Sequence, residues 1–179
     1  VNQQTLTSSG TLAAVTNSGS ATINNGSATT ITNTSDLNAN GGTITTVNTS
    51  GDMDMTGGTV GTLTTTAGTT DVTGGTTNDL ASTGGTTTLD GGTINDADVA
   101  VSGGTVVNNG VTLQTVSVTG TGTYTQSGGA STAVTLTGGD TAGNLNAGTV
   151  GTVTNAGGTL ALGGATITDL SQTSGTTTM

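Results

Sequence analysis

Apolar residues recur along this chain at a nearly constant interval, with polar residues alternating around them. One apolar position returns as Val15, Ile31, Val47, Leu63, Leu80, Val99, Val116, Val134, Val153 and Leu170, at gaps of 16, 16, 16, 17, 19, 17, 18, 19 and 17 residues. A second column runs through Leu6, Ile23, Met55, Val72, Leu89, Tyr124, Leu145 and Leu162, with gaps near Ala39 and Val107. A weaker third holds Leu12, Ala28, Ile44, Val60, Thr77, Ile94, Val111, Val150 and Ile167. Glycines keep the same time, at Gly10, Gly26, Gly42, Gly58, Gly75, Gly92, Gly110, Gly129, Gly148 and Gly164. Biased composition alone does not hold four columns in phase over ten units.

A unit of 16–19 residues is too short for a helical-pair repeat, which needs more than about thirty. Each helix-interior glycine would also cost about 1 kcal/mol relative to alanine. The local pattern is that of strands. "TLALGGATITDL" (Thr159–Leu170) alternates polar and apolar, breaks at Gly-Gly, then alternates again. The pattern predicts an all-β chain: a single parallel β-solenoid (β-helix) of about ten coils, 16–19 residues per coil, occupying residues 1–179 as one repeat domain. Coils stacked at about 4.8 Å would make a rod of roughly 50 Å. The apolar columns are its core, glycine makes the corners and threonine faces outward. Extra residues fall in "INDADVAV", "SVTGTGTYTQSGGAS" and "GGDTAGNLNAG", which are expected to bulge from one corner.

Neither end reads as a cap. "VNQQTLTSSGTL" enters the pattern at once and "ITDLSQTSGTTTM" leaves it in mid-phase. Uncovered strand edges pair readily with another chain. The terminal coils are therefore the candidate assembly interface, through Leu6, Leu12 and Val15 at one end and Leu162, Ile167 and Leu170 at the other.

Composition narrows the picture. Only 29 % of the 179 residues are apolar, too few for one large globular core but enough for a thin column. There is no Lys, Arg, His, Cys, Pro, Trp or Phe, and ten Asp give a net charge of −10. Nucleic acid needs cationic side chains on its phosphates, and an anionic membrane surface would repel the chain. No apolar run reaches the length of a membrane span, and no signal-peptide pattern opens the sequence. The start at Val1 reads as a processed or trimmed terminus. Catalytic candidates shrink to Asp, one Tyr and unactivated hydroxyls, without the cations that would bind an acidic sugar. The expectation is no enzyme, no small-molecule substrate, and an extracellular or cell-surface location.

The units "VSGGTVVNNGV" (Val101–Val111) and "STGGTTTLDGGT" (Ser82–Thr93) resemble the Gly-Gly-Thr repeats of bacterial surface β-solenoids. The likeness is closest to the passenger regions of AIDA-type autotransporter adhesins. The resemblance implies an exported, elongated scaffold for adhesion or matrix. That family's signal region and membrane β-barrel are not among these residues, and phage tail fibres use similar solenoids.

Carboxylates concentrate in "GDMDM" and "NDADV". Asp52 and Asp54, and likewise Asp96 and Asp98, are two apart and so share a strand face. Asp79 and Asp98 fall one coil apart. Such pairs suit calcium, a hard, oxygen-loving ion, although the Gly-Gly-x-Gly-x-Asp calcium repeat is absent. The expectation is no cofactor, the carboxylates serving as a solvated surface that keeps rods soluble and apart, with calcium binding the alternative. Thr-x-Thr triplets at Thr30, Thr62 and Thr152 could build an ice-matching face, but Asp79, Asp98 and Asp169 fall in the same column. Sequons occur at Asn25, Asn33 and Asn48. The function expected is structural: a protomer of an extracellular filament or matrix, with itself as partner, assembled by end-to-end stacking. The alternatives are a stalk segment of an adhesin or phage fibre, and an ice- or calcium-binding solenoid.

Overall fold

Each coil consists of one longer and one shorter strand joined by glycine-rich turns. In one coil these are Thr43–Thr49 and Met53–Met55, and in the next Thr59–Thr65 and Thr69–Val72. The computed structural model describes residues 5–179. They form a parallel β-solenoid of 20 strands, about ten turns of about 17 residues, with no helix. Every strand pairs in parallel with its equivalent in the neighbouring coil, as Ile44↔Val60, Val47↔Leu63 and Thr49↔Thr65 show.

The shorter strand alternates strictly: in Ser20–Ile23 the side chains of Ala21 and Ile23 are buried. The longer strand breaks the alternation once. In Thr43–Thr49 the inward residues are Ile44, Val47 and Thr49, with two outward residues between the first pair. That double step is a bend. One coil opens it into a loop, leaving Thr93–Ile94 and Asp98–Val101 as separate strands.

The column from Val15 to Leu170 is the spine of the core. Val15, Ile31, Val47, Leu63 and Leu80 stack in register, and so do Val99, Val116, Val134, Val153 and Leu170. The other two columns each slip by two residues in places. Leu6 lies opposite Ala21, while Ile23 lies opposite Ser8; the side chain of Leu6 is outside the described part of the chain. Tyr124 stacks with Val106, and the inward residue near Val107 is Asn108. In the third column it is Leu113, not Val111, that leads through Ser131 and Val150 to Ile167. The reason is parity. Residues two apart in a strand face the same side, so following apolar identity alone steps between two adjacent inward columns.

The added residues leave from two corners, not one. Asn95–Ala97 sit at the bend of the longer strand. Those around Gly120 and Gly138–Thr141 sit where the longer strand hands over to the shorter. The corner at Gly42 shows why glycine is required: φ is +79°, and a Cβ there would overlap the Gly26 carbonyl oxygen of the coil before.

The core is not purely apolar, as the aliphatic columns imply it should be. The inward column beside the spine reads Asn17, Asn33, Thr49, Thr65 and Ser82, all fully buried, before turning apolar at Val101. Three of these side chains, Asn17, Asn33 and Thr49, bond one another along the rod axis. Asn17 Nδ2 donates to Asn33 Oδ1 at 2.7 Å, and Asn33 Nδ2 to Thr49 Oγ1 at 3.0 Å. Asn33 Nδ2 also reaches the corner carbonyls of Ser35 and Asp52 at 2.7 and 2.9 Å. Thr49 Oγ1 donates to the Gly51 carbonyl, and Thr65 Oγ1 bonds with Thr70 and Thr87. Ser82 Oγ, which has Val101 above it, has no partner. The bonded ladder along the axis thus runs from Asn17 to Thr49, and Ser82 stands outside it.

Candidate functional site

The outward face of the shorter strands carries the main acidic feature. Asp54 and Asp71 are direct register neighbours on adjacent coils, next to Asn38. With Asp36 and Asp52 they line a shallow depression of about 390 Å³. Asp52 and Asp54 thus share one face, as their spacing predicts. Asp52 Oδ1 accepts from the Thr69 backbone N–H at 2.9 Å, which ties it to the next coil. Asp36 and Asp71 were not among the residues the sequence singled out. Asp71 was within reach of the pattern, because Met55 and Val72 share a column and Asp54 and Asp71 precede them.

A second depression, of about 250 Å³, is lined by Asp79, Asp96 and Asp98. Asp79 and Asp98 stand on the outward face of the spine strands, each exposed. Thr62 Oγ1 donates to Asp79 Oδ2 at 3.3 Å. Asp96 behaves differently. It is 9 % exposed and turns its carboxylate onto backbone, accepting from Leu80 N–H at 2.7 Å and Asp98 N–H at 2.9 Å. It does not share a strand face with Asp98, because the bend there has opened into a loop. Its carboxylate supplies acceptors for ladder N–H groups that the loop interrupts, as buried donors require. Among the described residues no three carboxylates converge closely enough to hold one metal ion. The outward threonine column is interrupted as its sequence predicts, with Thr62 giving way to Asp79 and Thr152 to Asp169. Of the sequons, Asn25 and Asn48 are exposed, whereas Asn33 belongs to the buried ladder.

Tyr124 is fully buried, with Gln126, Ser131 and Asn108 the polar side chains around its hydroxyl. Its hydroxyl donates to Gln126 Oε1 at 3.0 Å and bonds with Ser131 Oγ at 2.9 Å, while Asn108 Nδ2 approaches it at 3.4 Å. Burial pushes the phenol above its ordinary value of 10.0, against the lowering effect of its bonds with Ser131 and Asn108. With no Lys, Arg, His or Cys in the chain, alkaline titration falls almost wholly on this one side chain. The unfolded phenol loses its proton first. The stability contributed by keeping this phenol protonated is therefore fully present below about pH 10 and lost as pH rises through the higher folded value. Urea midpoints should fall across that range in the native chain and stay level in Tyr124→Phe; parallel curves would contradict the assignment.

The last coil is a third surface. The strand Thr166–Thr178 pairs with Thr149–Leu162 and with no other described strand. Leu170 is 45 % exposed, while Val134 and Val153 beneath it in the same column are 0 % exposed. Ile167 and Leu162 are half-buried against the core, and Gln172 is exposed. At the other end Val15 is buried and Leu12 half-buried. No family model, curated protein or solved structure matches the chain. The class its fold defines is the parallel β-solenoid, here with carboxylates on its outer faces.

Proposed function

We propose that the chain is a structural rod: a protomer of an extracellular filament or matrix that lengthens by stacking coil on coil with copies of itself. The observation that carries this reading is the repetition itself: each coil offers the next the same parallel register, as Ile44↔Val60, Val47↔Leu63 and Thr49↔Thr65 do, so a further copy can be added by the same pairing. The columns that finish in Leu170 and Gln172 start, among the described residues, in Val15 and Asn17. A second copy continuing the stack sets apolar over apolar and amide over amide. Covering what is still exposed of Leu170 and Ile167 contributes about 1 kcal/mol each, and the edge row of N–H and C=O groups is paired at the same time. A net charge of −10 discourages sideways association and so favours growth along the axis. The reading includes no catalysis, nucleic acid, membrane insertion or small-molecule substrate, in keeping with a chain that lacks every cationic side chain.

The test is negative-stain electron microscopy of the purified chain at rising concentration, with and without calcium. Fibres with an axial repeat of roughly 50 Å are expected, and Leu170→Asp should leave short rods that no longer grow. Fibres only with calcium would bring the carboxylates into the junction. Separate short rods from the unaltered chain at every concentration would overturn the filament and favour a stalk segment.

A further inference from the structure

Asn-Gly occurs three times, at Asn25–Gly26, Asn40–Gly41 and Asn109–Gly110. In any chain this dipeptide lets the glycine nitrogen approach the asparagine amide carbon, because no Cβ stands in the way. The solenoid does not treat the three alike. Asn40 holds the first turn position: its backbone N–H and that of Gly41 both donate to the Ile23 carbonyl, at 2.9 and 3.3 Å. Its side-chain amide is fixed as well, donating to Asn24 Oδ1 at 3.1 Å and accepting from Thr56 Oγ1 at 3.0 Å. Asn109 occupies an equivalent place. Its Nδ2 donates to Asp90 Oδ1, and Gly110 N–H is held by Asn108 Oδ1 at 3.2 Å.

Asn25 comes one position later in its turn, because Asn24 takes the place of Asn40 and donates its N–H to Ser8. Asn25 is exposed. Neither its side-chain amide nor the Gly26 N–H has a hydrogen-bond partner among the described residues. The Gly26 carbonyl, by contrast, is anchored by Thr43 N–H at 3.0 Å. The turn is thus held in place with neither reacting group committed to a hydrogen bond among the described residues, Asn25 being exposed and Gly26 buried.

We propose that Asn25 is a site of spontaneous, backbone-assisted modification in the folded protein. Gly26 N forms a bond to Asn25 Cγ; the Cγ–Nδ2 bond breaks, and ammonia leaves with the proton given up by Gly26 N. Water then opens the cyclic imide at either carbonyl, leaving aspartate or isoaspartate. A neutral amide becomes a carboxylate beside the Asn24–Asn40–Thr56 ladder. In the isoaspartate form an extra backbone carbon enters a turn on which Gly42 is tightly stacked. The site goes beyond the structural role proposed above and does not rest on it.

The test uses the whole chain, incubated in mildly alkaline buffer, digested with pepsin and mapped by mass spectrometry. In folded protein Asn25 should convert at least about tenfold faster than Asn40 or Asn109, the factor that breaking hydrogen bonds worth ~1.4 kcal/mol before attack corresponds to. In denaturant the three rates should draw together, since the protection belongs to the fold. Asn25→Gly places the residue found at Gly41 and Gly57 in the following turns and should remove the fast component with the solenoid intact by circular dichroism. Equal rates at the three sites in folded protein, or conversion of Asn40 or Asn109 ahead of Asn25, would overturn the assignment.

Discussion

Gly42→Ala is expected to destabilise the solenoid by about 3–4 kcal/mol or to prevent its folding, a loss at the upper end for single substitutions. Two costs add. The backbone there has φ of +79°, which costs an L-residue roughly 1–2 kcal/mol. The new methyl would also overlap the Gly26 carbonyl oxygen, with the Gly26 amide close behind. That oxygen accepts the Thr43 N–H bond that stitches the two coils together. Relief requires the coils to part, and in a solenoid each coil is supported only by its neighbours. Gly10 provides the control, since a methyl built on it meets nothing within 4 Å and its φ is not positive. Gly10→Ala should change stability by less than about 0.5 kcal/mol. Urea unfolding followed by circular dichroism separates the two, and coincident midpoints would refute the stacked-corner account.

Asn33→Ala is the second large effect, at about 3–5 kcal/mol. Asn33 is 1 % exposed and is the rung between Asn17 below and Thr49 above. Its removal orphans the Ser35 carbonyl at the corner, takes one of two donors from the Asp52 carbonyl, which Leu37 N–H still serves, and takes away the acceptor of one Asn17 N–H. Each unsatisfied buried group costs about 1–3 kcal/mol, and a cavity is left besides. Leucine at the same position fills the space but not the bonds, so Asn33→Leu should recover only part of the loss. Asn48 lies next to this column and is exposed; Asn48→Ala should be nearly silent. Similar losses at Asn33 and Asn48 would mean that the buried ladder contributes nothing to stability.

These two residues mark how far the chain can be read unaided. Gly42 was legible: it keeps time with Gly26 and Gly58, and a corner repeated at one coil's spacing calls for a residue without Cβ. Asn33 was not. Asparagine and threonine stand on both faces of these strands, so polarity carries no information about side. Asn33 also begins a sequon, a signal that points toward the surface. Only the stack, by setting an amide from one coil under the next, gives Asn33 the partners that make burial tolerable.

The carboxylates divide in the same way. Asp79, Asp98 and Asp169 occupy the outward column their spacing implies, because register follows from the apolar neighbours Leu80, Val99 and Leu170. Asp96 is one residue from a regular strand, yet its carboxylate turns inward to the backbone of Leu80. The residues added at this bend take Asp96 out of any strand, so the alternation that sets side-chain direction within a strand no longer governs it.

The sequence by itself therefore determined the class of fold, the length of the coil, the spine from Val15 to Leu170 and the glycine corners, because these follow from local periods of two and of one coil. The tertiary structure alone decided which of two adjacent inward columns Tyr124 joins, which polar residues are core, and which of three Asn-Gly pairs lacks hydrogen-bond partners. Those depend on what the neighbouring coil places within a hydrogen bond's length, and no local period carries that information.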